Sequence, residues 1–228
     1  MRIAEGVFQL VATGGLKTAY PVLLQDKDSL VLVDTGYPGQ LAEIAEAIRE
    51  AGSNPEDLTD VILTHQDLDH VGGVNEVLGI APFVRFWAHE EEAPYLDGQK
   101  TPVKLAGLLE HYGELTEEKR AWCDRLKEGF ANRRLTALQL LKDGETLPFC
   151  GGVEIVHTPG HTPGHISLFL RESRIMVCGD AANIHDGKLV GANPEYTLDM
   201  PLAEQSFERI LSFQPLGATC YHGGYREL

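Results

Sequence analysis

The sequence predicts an α/β fold, and three observations carry that expectation. Apolar runs of strand length alternate with stretches of helical periodicity, the pattern of strand–helix units. Several of those runs break off directly into polar, glycine-bearing loops rich in histidine and aspartate: Asp34-Thr35-Gly36, the stretch from His65 to His70, Gly179-Asp180 and His222-Gly223-Gly224. The 228 residues are 43% hydrophobic and 23% charged, which suits a globular domain with a sizeable core.

Residues 1–24 read as strands, with Val7, Leu10 and Val11 before a Gly14-Gly15 turn and Tyr20, Val22 and Leu24 after it. Ser29 to Val33 is a buried strand that delivers Asp34-Thr35-Gly36, where the glycine permits a sharp turn. From Gln40 to Ala51 the residues Leu41, Ile44, Ala45 and Ile48 share one helix face, and Gly52-Ser53-Asn54-Pro55 ends the helix. Val61 to Leu63 is the next strand, and a helix is expected after it as far as about Leu78. Phe83 to Ala88 reads as a strand and Glu90 to Leu96 as a short helix.

Between residues 97 and 143 strand patterns give way to helical periodicity, through Val103, Ala106, Leu109 and Tyr112 and then Trp122, Leu126 and Phe130. Residues 100–142 carry a net charge of +3, against −18 for the remainder. Two readings stay open: a set of solvated helix faces, or a helical insertion that lids a site, with Lys104 or Arg133-Arg134 steering an anionic substrate. Thr146–Phe149 and Val153–Val156 read as a hairpin, Ile166–Leu170 and Arg174–Cys178 as strands, and Asp199 and Pro201 as the start of a helix reaching Phe213. Gly217 to Tyr221 is the last strand.

The chemistry is concentrated after Leu63. His65, Asp67, Asp69 and His70 put four metal-ligand side chains into six residues, followed by Gly72-Gly73. On extended backbone, positions i and i+2 project to one side, so His65 and Asp67 can converge, while Asp69 and His70 follow where the chain turns into a helix. Grouped like this, the side chains repel or desolvate one another unless a cation neutralises them. Imidazole with carboxylate suits zinc, iron or manganese. A second such loop, from His157 to His165, holds two Pro-Gly turns.

These motifs resemble the metallo-β-lactamase fold superfamily, whose signature loop reads His-x-His-x-Asp-His; here Asp67 stands at the second histidine. The resemblance runs from Asp34 to His222 and implies a four-layer αβ/βα sandwich with the metal site at one edge. It implies His65, Asp67 and His161 around one ion and Asp69, His70 and His222 around a second, with Asp180 bridging. Asp34 and His165 would support those ligands, and Asn183 would face the site as a hydrogen-bond donor. His157 is expected to be structural. The cofactor so implied is a pair of divalent ions, zinc first and manganese or iron as alternatives, with Asp67 shifting preference towards the harder ions.

The implied activity is hydrolysis of a small ester, lactone or thioester by a metal-bound hydroxide, with Asp69 orienting the nucleophile or shuttling its proton. The alternative is an iron-dependent redox enzyme of the flavodiiron-like or persulfide dioxygenase-like branch, some of which carry a carboxylate at the Asp67 position. A formal charge of −15 argues against nucleic acid or anionic membrane as partner, leaving a small-molecule substrate and a homodimer through the insertion as expectations. The absence of a signal-like segment and of paired CxxC cysteines sets the expectation of a cytoplasmic protein with four reduced thiols, Cys123, Cys150, Cys178 and Cys220.

Overall fold

The computed structural model describes residues 1–14, 17–131, 135 and 137–228. Two mixed sheets face each other. The first has seven strands in chain order: β1 (Arg2–Ala4), β2 (Val7–Gln9), β3 (Val22–Gln25), β4 (Leu30–Val33), β5 (Asp60–Ile62), β6 (Arg85–His89) and β7 (Leu138–Leu141). Its first four strands pair antiparallel and the rest, from β4 onward, parallel. The second sheet contains β8 (Thr146–Leu147), β9 (Val153–His157), β10 (Ile166–Leu170), β11 (Ile175–Gly179), β14 (Gly217–Cys220) and β15 (Gly224–Glu227). A separate hairpin joins β12 (Ala182–His185) to β13 (Lys188–Gly191).

Side-chain alternation along the strands divides the core into layers. In β4, Val31 and Val33 face the second sheet and pack with Ile155, Ile166 and Leu168. Leu30 and Leu32 face the other way, onto α1 (Leu41–Glu50) and α3 (Val74–Ile80) through Ile44, Ile48, Val74 and Val77. On the far side, Val156, Met176 and Ala218 pack under α7 (Met200–Ser212) through Ile210. Helix, sheet, sheet, helix is the four-layer sandwich that the motifs imply. Asp199 caps α7, its carboxylate accepting from the Leu202 amide at 3.0 Å, as the sequence suggests.

The 97–143 segment carries α5 (Val103–Glu110) and α6 (Glu117–Phe130), which pack on each other through Leu105, Cys123 and Leu126 and onto Leu68. It is not helical throughout. Leu138–Leu141 is the seventh strand of the first sheet, because an open parallel edge at β6 offers it backbone partners that outweigh its helical-looking composition. Arg133-Arg134 lie outside the described residues. The helix expected to run to Leu78 is broken into α2 (Leu68–Val71) and α3 at Gly72-Gly73. The short helix before the insertion, α4, covers only Ala93–Leu96.

The break has a packing cause. Gly72 has an ordinary helical φ of −57°, so its backbone does not demand glycine. Space does: a Cβ there would strike the Gly36 carbonyl, Tyr37 and the Pro38 nitrogen, and one on Gly73 would strike the Thr35 carbonyl. The two glycines let the loop after β5 lie directly against the turn after β4. Gly72→Ala should therefore cost about 2 kcal/mol through overpacking. In a thermal-unfolding comparison with the unsubstituted chain, that cost lowers Tm by roughly 4–8 °C.

Candidate metal centre

The polar residues singled out in the sequence meet at one rim, where β4, β5, β9 and β11 end. Asp34 is the first support. It is buried, with φ of 64°, a left-handed conformation that aspartate tolerates better than most residues. Its Oδ1 accepts from the Thr64 amide at 2.8 Å, and its Oδ2 accepts from the Thr64 hydroxyl and from His70 Nδ1, both at 2.8 Å. The Thr64 hydroxyl, having donated to Asp34, accepts from His65 Nδ1 at 3.0 Å. Both Nδ1 atoms are thereby committed as donors, and both Nε2 atoms are turned towards the rim. His65 Nε2 and His70 Nε2 are buried and have no hydrogen-bond partner.

The remaining imidazoles follow the same scheme. His222 Nδ1 donates to the Thr18 carbonyl at 3.3 Å, leaving Nε2 3.0 Å from Asp69 Oδ2. His161 Nδ1 lies 3.4 Å from the Thr197 hydroxyl, and its Nε2 lies 3.0 Å from Asp67 Oδ2. Asp180 stands among them: Oδ1 is 3.5 Å from His70 Nε2, and Oδ2 is 3.5 Å from His161 Nε2 and 3.6 Å from His222 Nε2. The ligand atoms of His65, His161 and Asp180 all lie within 4.8 Å of one another, and so do those of Asp69, His70 and His222. Convergent Nε2 atoms, two of them orphaned in the interior, fit one or more divalent ions, because a buried acceptor without a partner is costly.

His165 stands one step back. Its Nε2 accepts from the Asp180 amide at 3.0 Å and its Nδ1 lies 2.9 Å from the Thr158 hydroxyl, so it positions the carboxylate's backbone. Gly179, at φ of +55°, is the close neighbour that this contact requires. Asn183 lies beside Gly223, and its carboxamide oxygen accepts from the Ile184 amide at 2.8 Å, which turns that oxygen to the β12 backbone. His157 stacks on His89 at 4.2 Å and 11°. These two and Glu91 form another potential ligand group. Stacked rings send their in-plane lone pairs along parallel lines, however, so this pair serves packing.

Buried Glu92 has no motif to announce it, and half-buried Lys104, expected at most to steer a substrate, takes a closer part. Glu92 receives the Thr162 hydroxyl at 2.6 Å, the Gly164 amide at 2.8 Å and the Gln66 amide nitrogen at 2.8 Å, tying the two histidine loops together. Burial pushes its carboxyl up to about 7 against these three donors. Lys104, on α5, donates to Asp67 Oδ2 and lies 3.0 Å from His161 Nε2. Tyr37 follows the Asp34 turn, and burial together with the charges of Asp69, Asp180 and Asp67 pushes its phenol well above its usual range.

Charge sets the protonation states. Burial lowers His65 to about 4, helped by His70. Burial also opposes a charge on His70, but Asp34, Asp180 and Asp69 together raise it well above its ordinary value. His222 is raised by Asp69 and Asp180 against its own burial. Desolvation works against Asp67 ionising, yet the Lys104 ammonium and His65 hold its carboxyl well below the normal range.

The profile of the Metallo-beta-lactamase superfamily matches residues 14–225. The probable metallo-hydrolase YflN of Bacillus subtilis is 27% identical over 96% of this chain and 84% of its own length. A hydroxyacylglutathione hydrolase of Enterobacter sp. is 27% identical over 83% of this chain and 55% of its own. An N-acyl homoserine lactonase of Bacillus cereus is 27% identical over 67% of this chain and 58% of its own. Among solved structures, a metallo-beta-lactamase family protein of Thermus thermophilus superposes with a TM-score of 0.76 at 25% identity, covering 99% of this chain and 76% of that one.

Two outcomes test the site. Asp34→Ala removes the acceptor of His70 Nδ1 and frees the Thr64 hydroxyl that orients His65, and should weaken divalent-metal affinity by about 10–100-fold in calorimetric titrations. His70, raised well above its ordinary value in the ion-free protein, holds a proton that an incoming ion must displace, and His222 is shifted in the same direction; metal uptake near neutral pH should therefore release protons. Titration enthalpies in buffers of different ionisation heat read the number released, and His70→Ala should lower it. His65, already neutral, contributes none. With the order of motifs, the strand-end geometry and the match over most of its length in agreement, this chain belongs to the metallo-beta-lactamase superfamily.

Proposed function

We propose that this chain is a metal-dependent hydrolase of a small ester, lactone or thioester. The observation that carries this reading is the pair of buried, unpartnered Nε2 atoms, His65 and His70, facing the Asp180 carboxylate. His65, His161 and Asp180, and Asp69, His70 and His222, would hold the ion or ions, with Asp67 beside the first group. A divalent ion bound there supplies Lewis acidity and a water of lowered pKa.

The protein's own groups account for the rest. Asp34 and Thr64 hold His65 and His70 in the tautomer that presents Nε2. Asp69, fixed by the Tyr221 hydroxyl donating to its backbone carbonyl at 2.7 Å, takes the proton of the attacking water and passes it to the leaving oxygen or sulfur. Tyr37, held protonated by the surrounding carboxylates, donates a hydrogen bond to the substrate at the mouth. The names of two relatives, a hydroxyacylglutathione hydrolase and an N-acyl homoserine lactonase, support thioesters and lactones as the first substrates to try. The oxygen ligands among the candidates, Asp67 included, keep an iron redox centre as the second reading.

A panel of p-nitrophenyl acetate, thioesters and homoserine lactones, run with each metal, tests the proposal. Turnover should vanish with a chelator and return with metal. Asp180→Ala should lose at least about a hundredfold in kcat/KM, more than outer-sphere changes cost, while thermal unfolding stays cooperative. An absorption band that responds to peroxide or reductant, with no hydrolysis of any panel member, would favour the redox reading.

A further inference from the structure

Lys104 is the second residue of α5 and reaches from the insertion onto the rim. Its ammonium donates to Asp67 Oδ2 and stands 3.0 Å from His161 Nε2. That same Oδ2 is 3.2 Å from His65 Nε2 and 3.0 Å from His161 Nε2. A single positive charge thus sits among the three side chains that the superfamily's pattern gives to a first ion. Among the described residues, the ion pairs of Asp69 and Asp180 are with imidazoles, and no ammonium or guanidinium pairs with either.

The lysine is held in place from both sides. The Val103 amide donates to Gln66 Oε1 at 2.8 Å, so the start of α5 is fastened to the metal loop itself. Leu105 is buried against Leu68, Cys123 and Leu126. A cation carried by this chain and anchored at the residues before and after it costs little to place where Asp67 needs a counter-charge. The charges also match: Asp67, standing where the family's pattern has histidine, brings one negative charge, and Lys104 brings one positive charge.

We propose that the Lys104 ammonium takes the place of the first ion at Asp67 and His161, so that this chain holds a single divalent ion at Asp69, His70, Asp180 and His222. The inference rests on the metal-hydrolase reading and narrows it. An ammonium and a divalent ion cannot both contact Asp67 Oδ2 without strong repulsion, since at such separations two like charges interact strongly even near a protein surface. Lysine is suited to the part because it is a compact point charge on a flexible stem.

The test is metal stoichiometry on the chelator-stripped full chain. Zinc and manganese titrations and elemental analysis after desalting are compared for the unsubstituted protein, Lys104→Arg and Lys104→Met. One equivalent is expected for the first two and two equivalents for Lys104→Met. Two equivalents in the unsubstituted protein, or one in a folded Lys104→Met, overturns the lysine's role and leaves the metal-hydrolase reading intact. No ion taken up by the unsubstituted protein overturns that reading itself. If Lys104→Met does not fold, Asp67→His decides: it removes the acceptor that holds the ammonium and should bind two equivalents, and a count of one overturns the proposal.

Discussion

Asp34 brings a negative charge into a part of the protein that is closed to solvent, and three donors answer it: the Thr64 amide, the Thr64 hydroxyl and His70 Nδ1. In a medium of low polarity such charge-assisted hydrogen bonds are short and directional. They set the tautomer of His70 directly and that of His65 through Thr64. The carboxylate can occupy this place because it lies at the end of β4 in a left-handed turn, and because Gly72 and Gly73 let the next loop approach to contact distance. Geometry at the rim is therefore inherited from the backbone packing of the segments that follow two adjacent strands, β4 and β5.

Crowding is the second consequence. Asp67, Asp69 and Asp180 are carboxylates sharing one rim, and each is desolvated. Like charges brought this close would drive protonation of one another unless cations intervene. The protein supplies some of the compensation itself, through His70, His222 and the Lys104 ammonium. The remainder is the reason that metal chemistry is the natural reading of this constellation.

Much of this was legible in the sequence because the ligand-bearing residues come in clusters at the ends of apolar runs. His65 to His70, His161, Asp180 and His222 each follow such a run, and strand ends on one side of a sandwich meet by construction. The hairpin of β12 and β13 also left a sign that went unread, Asp186-Gly187, whose φ values of 50° and 71° suit a tight two-residue turn. Leu138–Leu141 could not be read, since its composition fits a helix and only the open edge of β6 makes it a strand. Glu92 was hidden for a different reason, and Lys104 was legible only as a cation that could steer an anionic substrate, not as the partner of Asp67. Glu92 sits in a run of three glutamates and Lys104 in a largely apolar helix, and neither context betrays what the side chain meets. Their significance is a matter of burial and of partners 26 to 72 positions away.

Gln66 occupies an unremarked position between two candidate ligands, yet it holds both ends of a chain of contacts. Its amide nitrogen donates to Glu92 and its oxygen receives the Val103 amide. The helices after residue 97 are thus stitched to the rim by a side chain of the candidate metal loop that carries no ligand atom of its own. Recombination that exchanged this segment with a cousin's would cut the stitch unless positions 66 and 92 travelled with it. Segment, position 66 and position 92 are in that sense one inheritance, and a graft bounded by the segment alone would loosen the loop that presents the candidate ligands.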